Sequence, residues 1–182
     1  MANETQRAAI IGVVTASDRA SAGVYEDQSG PAIAAYLTKI LKTPFHIIRK
    51  IIPDGFETVR DTLIELADKE HCDLILTTGG TGPSPRDLTP EATLAAAPRL
   101  LPGFGELMRQ ESLKEVPTAI LSRQIAAHRG PCLVINLPGK PASIETCLKA
   151  VFPAVPYCLD LIGAAYLETN AAILKSFRPK QQ

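Results

Sequence analysis

The sequence predicts an α/β fold, a single three-layer domain over residues 1–182 with a mostly parallel sheet covered by helices on both faces. Three observations predict it. Apolar runs of strand length recur along the chain, amphipathic helical patterns lie between them, and Gly/Pro-rich or polar turns close each run. Strands that alternate with helices pair in parallel through right-handed crossovers, and their fully apolar character suits burial on both faces.

The elements follow in order. Residues 8–17 form an apolar, β-branched run that reads as the first strand, followed by Ser17-Asp18-Arg19. Residues 31–41 place Ile33, Leu37, Ile40 and Leu41 at helical spacing, with Pro31 near the start. Residues 45–52 read as the second strand, closed by Pro53-Asp54-Gly55. Residues 56–69 put Phe56, Val59, Leu63, Leu66 and Ala67 on one face of a helix. Residues 73–78 are the third strand, and helical patterns follow at 90–97 and 103–114. A later strand, Cys132–Leu137, runs into Pro138-Gly139-Lys140-Pro141 and a helix from about Ala142. The chain shows no internal repeat and no linker.

Composition narrows the function classes. Nineteen basic and nineteen acidic residues give a formal net charge of zero, which offers no electrostatic case for nucleic acid or an anionic membrane. The apolar run Ala8–Ala16 is too short to span a bilayer and lacks the flanks of a signal peptide. Cys72, Cys132, Cys147 and Cys158 form no C-x-x-C pair and no zinc spacing with His46, His71 or His128, so they read as buried apolar residues of a reducing cytoplasm.

The chemistry concentrates in Leu74-Ile75-Leu76-Thr77-Thr78-Gly79-Gly80-Thr81-Gly82-Pro83-Ser84-Pro85-Arg86-Asp87-Leu88-Thr89-Pro90. A strand ends in glycines that turn the backbone and aim N–H groups at an anion, and a helix start with its favourable dipole follows. In an open parallel sheet, ligands bind at the carboxyl ends of the strands. Asp18, Asp54, the Gly79–Asp87 loop and the Asn136–Lys140 segment each follow a predicted strand, so the topology brings them to one edge. Each has a plainer alternative taken singly: Asp18 a loop cap, Asp54 an N-cap, Asp87 a partner for Arg86 or a helix cap, Asn136 and Gly139 turn residues, Arg123 and Lys140 solvated charges. The glycine loop lacks the Lys-Ser/Thr of a P-loop and the G-x-G-x-x-G spacing. Two carboxylates beside a phosphate loop suit Mg²⁺, which takes one or two carboxylates with phosphate oxygens and water.

These residues together resemble the MogA-type molybdopterin adenylyltransferases of the MogA/MoaB family. The resemblance is carried by Ser17-Asp18-Arg19-Ala20-Ser21-Ala22-Gly23-Val24-Tyr25, by Ile52-Pro53-Asp54, and by Thr77–Gly82 through Arg86-Asp87 to Thr89-Pro90. It continues through Pro102-Gly103-Phe104-Gly105-Glu106, Pro117–Arg123, Asn136-Leu137-Pro138-Gly139 and Val155-Pro156-Tyr157-Cys158, nearly the whole chain. It implies transfer of AMP from Mg-ATP to molybdopterin with release of pyrophosphate, in molybdenum cofactor biosynthesis. It implies Asp54 and Asp87 as the essential acidic residues, taken here as metal organisers, and Thr78, Gly79, Gly80, Thr81 and Gly82 as the nucleotide phosphate loop. Asp18, Ser122, Arg123, Asn136, Pro138 and Gly139 fall in segments that resemble the molybdopterin end, and the charge of Lys140 adds it to that set. A cytoplasmic homotrimer and handoff to a molybdate-inserting protein are further implications, with a non-catalytic or MoaB-like molybdopterin-binding trimer as the alternative. The segment between Leu148 and Val155 is shorter than in some members, which bears on edge structure or assembly.

Overall fold

The computed structural model describes residues 7–180, so the ends of the expected 1–182 domain lie outside the described residues. In chain order the elements are β1 (Ala9–Ala16), α1 (Asp18–Ser21), α2 (Ser29–Ile40), β2 (Phe45–Ile52), α3 (Phe56–Asp68), β3 (Leu74–Thr78), α4 (Thr89–Ala96), β4 (Arg99–Leu100), α5 (Pro102–Leu113), β5 (Ala126–Arg129), β6 (Cys132–Leu137), α6 (Pro141–Val151) and α7 (Val155–Ile162). Short 3₁₀ turns occupy Pro117–Leu121 and Phe152–Ala154. The second of these joins α6 to α7 through the short segment after Leu148, and its Phe152 is fully buried.

The sheet order is β2-β1-β3-β6-β5-β4. The first four strands in that order are mutually parallel, and β5 and β4 add an antiparallel edge. Side chains alternate across the sheet as strand geometry requires. Ile11 and Val13 of β1, Leu74 and Leu76 of β3, and Leu133, Ile135 and Leu137 of β6 pack on one face, under α2, α5, α6 and α7. Val14, Ile75 and Val134 point the other way, under α3 and α4. Two cores on opposite faces make the three layers that the sequence predicts.

Helix α2 begins at Ser29, earlier than its apolar spacing indicates. Asp27 extends it by accepting hydrogen bonds from the N–H groups of Ser29 (3.0 Å) and Gly30 (3.1 Å). A side chain at Gly30 would meet Asp27 Oδ2 at 2.5 Å, which is why the second helical residue is glycine. Helix α3 starts at Phe56, with Gly55 at its N-cap and no side-chain cap. Asp54 therefore does not cap it and is left for other work.

Four elements have no counterpart among the predicted ones. Strands β4 and β5 are two and four residues long, and neither carries a β-branched run. Pairing with β6 makes them strands. Helix α1 is a single turn capped by Ser17, whose Oγ accepts from the N–H of Ala20. Helix α7 is only eight residues long, and Pro156 sits in its first turn where proline is tolerated.

Asp73, just before β3, ties both ends of the described chain to the sheet. Its nearly buried carboxylate accepts from the N–H of Ile10 (2.9 Å), the N–H of Ala165 (2.8 Å) and the Arg7 guanidinium. Asp73→Ala leaves two backbone donors without acceptors. It is expected to lower stability by about 2–4 kcal/mol, read from denaturant midpoints at unchanged m-value.

Candidate functional site

Parallel pairing ends β2, β1, β3 and β6 on one edge. Ala16 is level with Ile52, Thr15 with Thr78, and Thr78 with Leu137. The residues that follow these positions meet there.

The first group lies after β1 and β2. The N–H of Asp18 donates to Asp54 Oδ2 (2.9 Å) and the N–H of Asp54 donates to Asp18 Oδ1 (3.1 Å). This reciprocal pair holds two carboxylates side by side. Arg86 reaches across from the glycine loop: its Nε donates to Asp18 Oδ2 (2.7 Å), and its Nη2 to Asp18 Oδ1 (2.8 Å) and the Asp54 carbonyl (2.9 Å). The guanidinium holds the Asp18 carboxyl below the usual carboxylate range. Asp54 moves the other way: burial first, then the negative charges of Asp18 and Asp87, push its carboxyl up.

The second group is the glycine loop. Gly79 and Gly80 both adopt left-handed conformations, with φ of +94° and +63°. Both also lack room for a side chain, since a Cβ would stand 2.2 Å from the Ala16 carbonyl at Gly79 and 2.3 Å from Thr89 Oγ1 at Gly80. Thr89 closes the turn from the start of α4, its Oγ1 donating to the Gly79 carbonyl (3.0 Å) and its N–H to the Gly80 carbonyl (3.0 Å). Asp87 does not pair with Arg86. Its Oδ2 accepts from the N–H of Ser84 (3.1 Å), and a side chain on Gly82 would meet that same oxygen at 2.8 Å. Thr78 ends β3 by donating from Oγ1 to the Pro138 carbonyl (2.8 Å).

The third group lies beyond β6. Gly139 packs against Gly79, where a Cβ on Gly139 would be 3.6 Å from the Gly79 Cα, and its carbonyl accepts from Ser29 Oγ (2.8 Å). A cleft of about 260 Å³ opens here, lined by Gly82, Arg109, Ser122, Gln124, Pro138 and Lys140 among others. The acidic pair and this cleft thus flank the glycine loop.

Two expected site residues stand differently from their sequence reading. Asn136 is fully buried within β6; its Nδ2 donates to Thr77 Oγ1 (3.0 Å) and Thr93 Oγ1 (2.9 Å). It supports α4 under the loop and does not line the crevice. Arg123 is not an open fork for an anion. Its N–H donates to the Thr81 carbonyl (2.8 Å) and its Nε to the Gly82 carbonyl (2.9 Å), while its Nη groups bond the Asp87 carbonyl and the Glu91 carboxylate. Arg123 staples the loop to the start of α4. Arg86 and Glu91 were absent from the sequence-derived site. Arg86 adjoins Asp87, but neighbours in a turn do not face each other, and its true partner is 68 positions away.

A family described as "Probable molybdopterin binding domain" matches residues 12–157. The molybdopterin adenylyltransferase of Helicobacter pylori is 56% identical over 171 residues, covering 94% of this chain and 97% of that protein. The molybdopterin adenylyltransferase of Escherichia coli K12 is 50% identical over 182 aligned positions, covering 93% of each chain. Among solved structures, the molybdopterin biosynthesis enzyme MoaB from Thermus thermophilus superposes with a TM-score of 0.78 at 40% identity, covering 86% of this chain and 98% of that one.

Two outcomes follow from the site geometry. Arg123→Ala is expected to cost about 1–2 kcal/mol, since three acceptors lose a donor, and to raise amide exchange across residues 81–87. Asp54→Asn keeps an acceptor for the Asp18 N–H but removes the strained charge. A carboxyl whose folded-state pKa is raised destabilises the fold once it ionises, and the penalty vanishes at pH values low enough to protonate it in both states. Asp54→Asn is therefore expected to melt above the wild type at pH 7, with the difference shrinking as pH falls through the raised Asp54 pKa, as read by thermal scans across pH.

Proposed function

The chain belongs to the family of probable molybdopterin binding domains, and on that premise we propose that it transfers AMP from Mg-ATP to molybdopterin and releases pyrophosphate, in molybdenum cofactor biosynthesis. The observation that carries this reading is the meeting of Asp54 and Asp87 with the Gly79–Gly82 loop at one sheet edge. A Cβ on Gly80 would stand 3.4 Å from Asp54 Oδ1, and one on Gly82 would stand 2.8 Å from Asp87 Oδ2. The phosphate loop and the two carboxylates are therefore immediate neighbours.

In the transfer, a terminal phosphate oxygen of molybdopterin bonds to the α-phosphorus of ATP. The bond from that phosphorus to the oxygen bridging the β-phosphate breaks, and pyrophosphate leaves with the electron pair. The nucleophile is already an anion at neutral pH, so it needs no strong general base. The obstacle is the approach of one anion to another, which fixed N–H groups, basic residues and alignment overcome.

The residues fit Mg²⁺. The Asp54 carboxyl is pushed up by burial and by the negative charges of Asp18 and Asp87, and a divalent cation removes that penalty. Among the described residues no group of three or more His, Cys, Asp or Glu could hold a metal, so Asp54 and Asp87 supply at most the two carboxylates that Mg²⁺ takes beside phosphates and water. When bound, the ion supplies neutralisation of phosphate charge.

The ligands divide across the loop. Thr78 to Gly82 hold the nucleotide phosphates. The cleft with Ser122, Pro138 and Lys140, next to Gly139, receives molybdopterin, Lys140 offering an exposed ammonium at its rim. Asp18 positions Asp54, and Arg123 and Asn136 support the loop and α4 from behind. The exposed apolar side chains of Leu113, Val116, Ile120 and Leu121 support self-association, for which we propose a trimer. Free Cys72, Cys132, Cys147 and Cys158 accord with a cytoplasmic setting, and no helix among the described residues is long and apolar enough to cross a membrane. Handoff of the adenylylated product to a molybdate-inserting protein completes the reading.

The purified protein is expected to release pyrophosphate from Mg-ATP only when molybdopterin is present. Asp54→Ala and Asp87→Ala are each expected to abolish that release while keeping a cooperative melt, because both carboxylates sit in loops. Wild-type protein that binds molybdopterin and releases no pyrophosphate would mark it as a binding protein instead.

A further inference from the structure

We propose that Arg86 is an exchangeable counter-ion: it clasps the Asp18–Asp54 pair until nucleotide arrives, then moves its fork onto the nucleotide phosphates. The proposal rests on the adenylyltransferase reading above and adds a substrate-contacting residue to it.

The argument begins with placement. Arg86 belongs to the same loop as Gly79–Gly82, yet its guanidinium lies across the acidic pair formed by the loops after β1 and β2. It binds both oxygens of Asp18 and the carbonyl of Asp54. Asp54 in turn abuts Gly80, so the guanidinium stands beside the phosphate cradle. The guanidinium also lies beside the Asp54 carboxylate that a divalent cation has to reach, and like charges repel there.

Release is cheap. The Arg86 side chain is 64% exposed and that of Asp18 is 43% exposed, and an ion pair in that setting contributes little to stability. The rest of the loop is held without Arg86. Thr89 binds the Gly79 and Gly80 carbonyls, and Arg123 binds those of Thr81, Gly82 and Asp87. The fork can therefore leave while the glycines stay in place. Arg123 cannot take the phosphate role, since Gly82, Asp87 and Glu91 occupy its donors. Guanidinium geometry matches two phosphate oxygens as well as it matches the carboxylate it leaves. A cation arriving with nucleotide repels Arg86 from the carboxylates, and the accompanying phosphates attract it.

The test uses Arg86→Gln and Arg86→Lys in the full chain, with thermal melts to confirm folding. Mn²⁺ alone serves as the first probe, by electron paramagnetic resonance. Losing the competing cation is expected to tighten Mn²⁺ binding in Arg86→Gln by about two- to fivefold, the equivalent of one exposed ion pair. Charge removal alone would tighten Mn²⁺ binding and would not weaken Mg-ATP binding, so the sign of the Mg-ATP change separates the exchange from a fixed clip. Calorimetry with Mg-ATP is the second probe, and affinity is expected to fall about tenfold or more in Arg86→Gln, with Arg86→Lys between it and the wild type. Pyrophosphate release is expected to drop about 10²- to 10³-fold in Arg86→Gln. Unchanged or weaker Mn²⁺ binding, or unchanged Mg-ATP binding, overturns the exchange. Both binding effects in Arg86→Gln, with a wild type that releases no pyrophosphate, would overturn the enzyme reading and leave the counter-ion role standing.

Discussion

The parallel pairing of β1 with β2 on one side and β3 on the other is the constraint on which the rest depends. Because the three strands, with β6, run the same way, their carboxyl ends finish at one edge. The acidic pair, the glycine loop and the Pro138–Lys140 turn all enter from loops at that edge. A single antiparallel substitution among these four strands would send one of the loops to the opposite end of the sheet. The antiparallel pair β5 and β4 is placed at the margin, where it closes the sheet beside β6 without disturbing this convergence.

The backbone at the edge is held more tightly than the side chains it presents. Gly79 and Gly80 are locked by contacts with Ala16 and Thr89, and the rest of the loop by Arg123 against Thr81, Gly82 and Asp87. Pro138 and Gly139 are tied back by Thr78 and Ser29. By contrast, the carboxylates are in conflict. Asp54 is partly buried beside two other acids and its charged form is disfavoured. A rigid loop beside negative charge that Arg86 only partly offsets suits the metal-bound polyphosphate of the proposed function. The same charge is a cost to the free protein, tempered by Arg86.

Much of the fold was legible in the sequence. The spans 45–52 and 132–137 coincide with β2 and β6, and the amphipathic helix at 56–69 differs from α3 by one residue. These elements have strong period or clean breakers at both ends, such as Pro44 and Pro53 around β2. Strands β4 and β5 were not legible because nothing in Arg99-Leu100 or Ala126–Arg129 favours extended backbone by itself. Their hydrogen bonds come from β6 and from each other. Asp27 was likewise invisible as the cap of α2, since it lies two residues ahead of the helix it stabilises.

For the site, sequence by itself determined which segments take part. Turn chemistry after each apolar run marked Asp18, Asp54, the glycine loop and Pro138–Gly139, and parallel topology brought them together. Tertiary structure alone decided the partners. It buried Asn136, committed Arg123 to carbonyls of the loop, and joined Arg86 to Asp18 instead of Asp87. The reason is physical: Asp18 and Asp54 are 36 positions apart and Arg86 and Asp18 are 68 apart. Spacing along the chain reports what shares a face of one element. Which donor reaches which carboxylate depends on the register between strands and the exact turn of each loop, and those exist only once the sheet has formed.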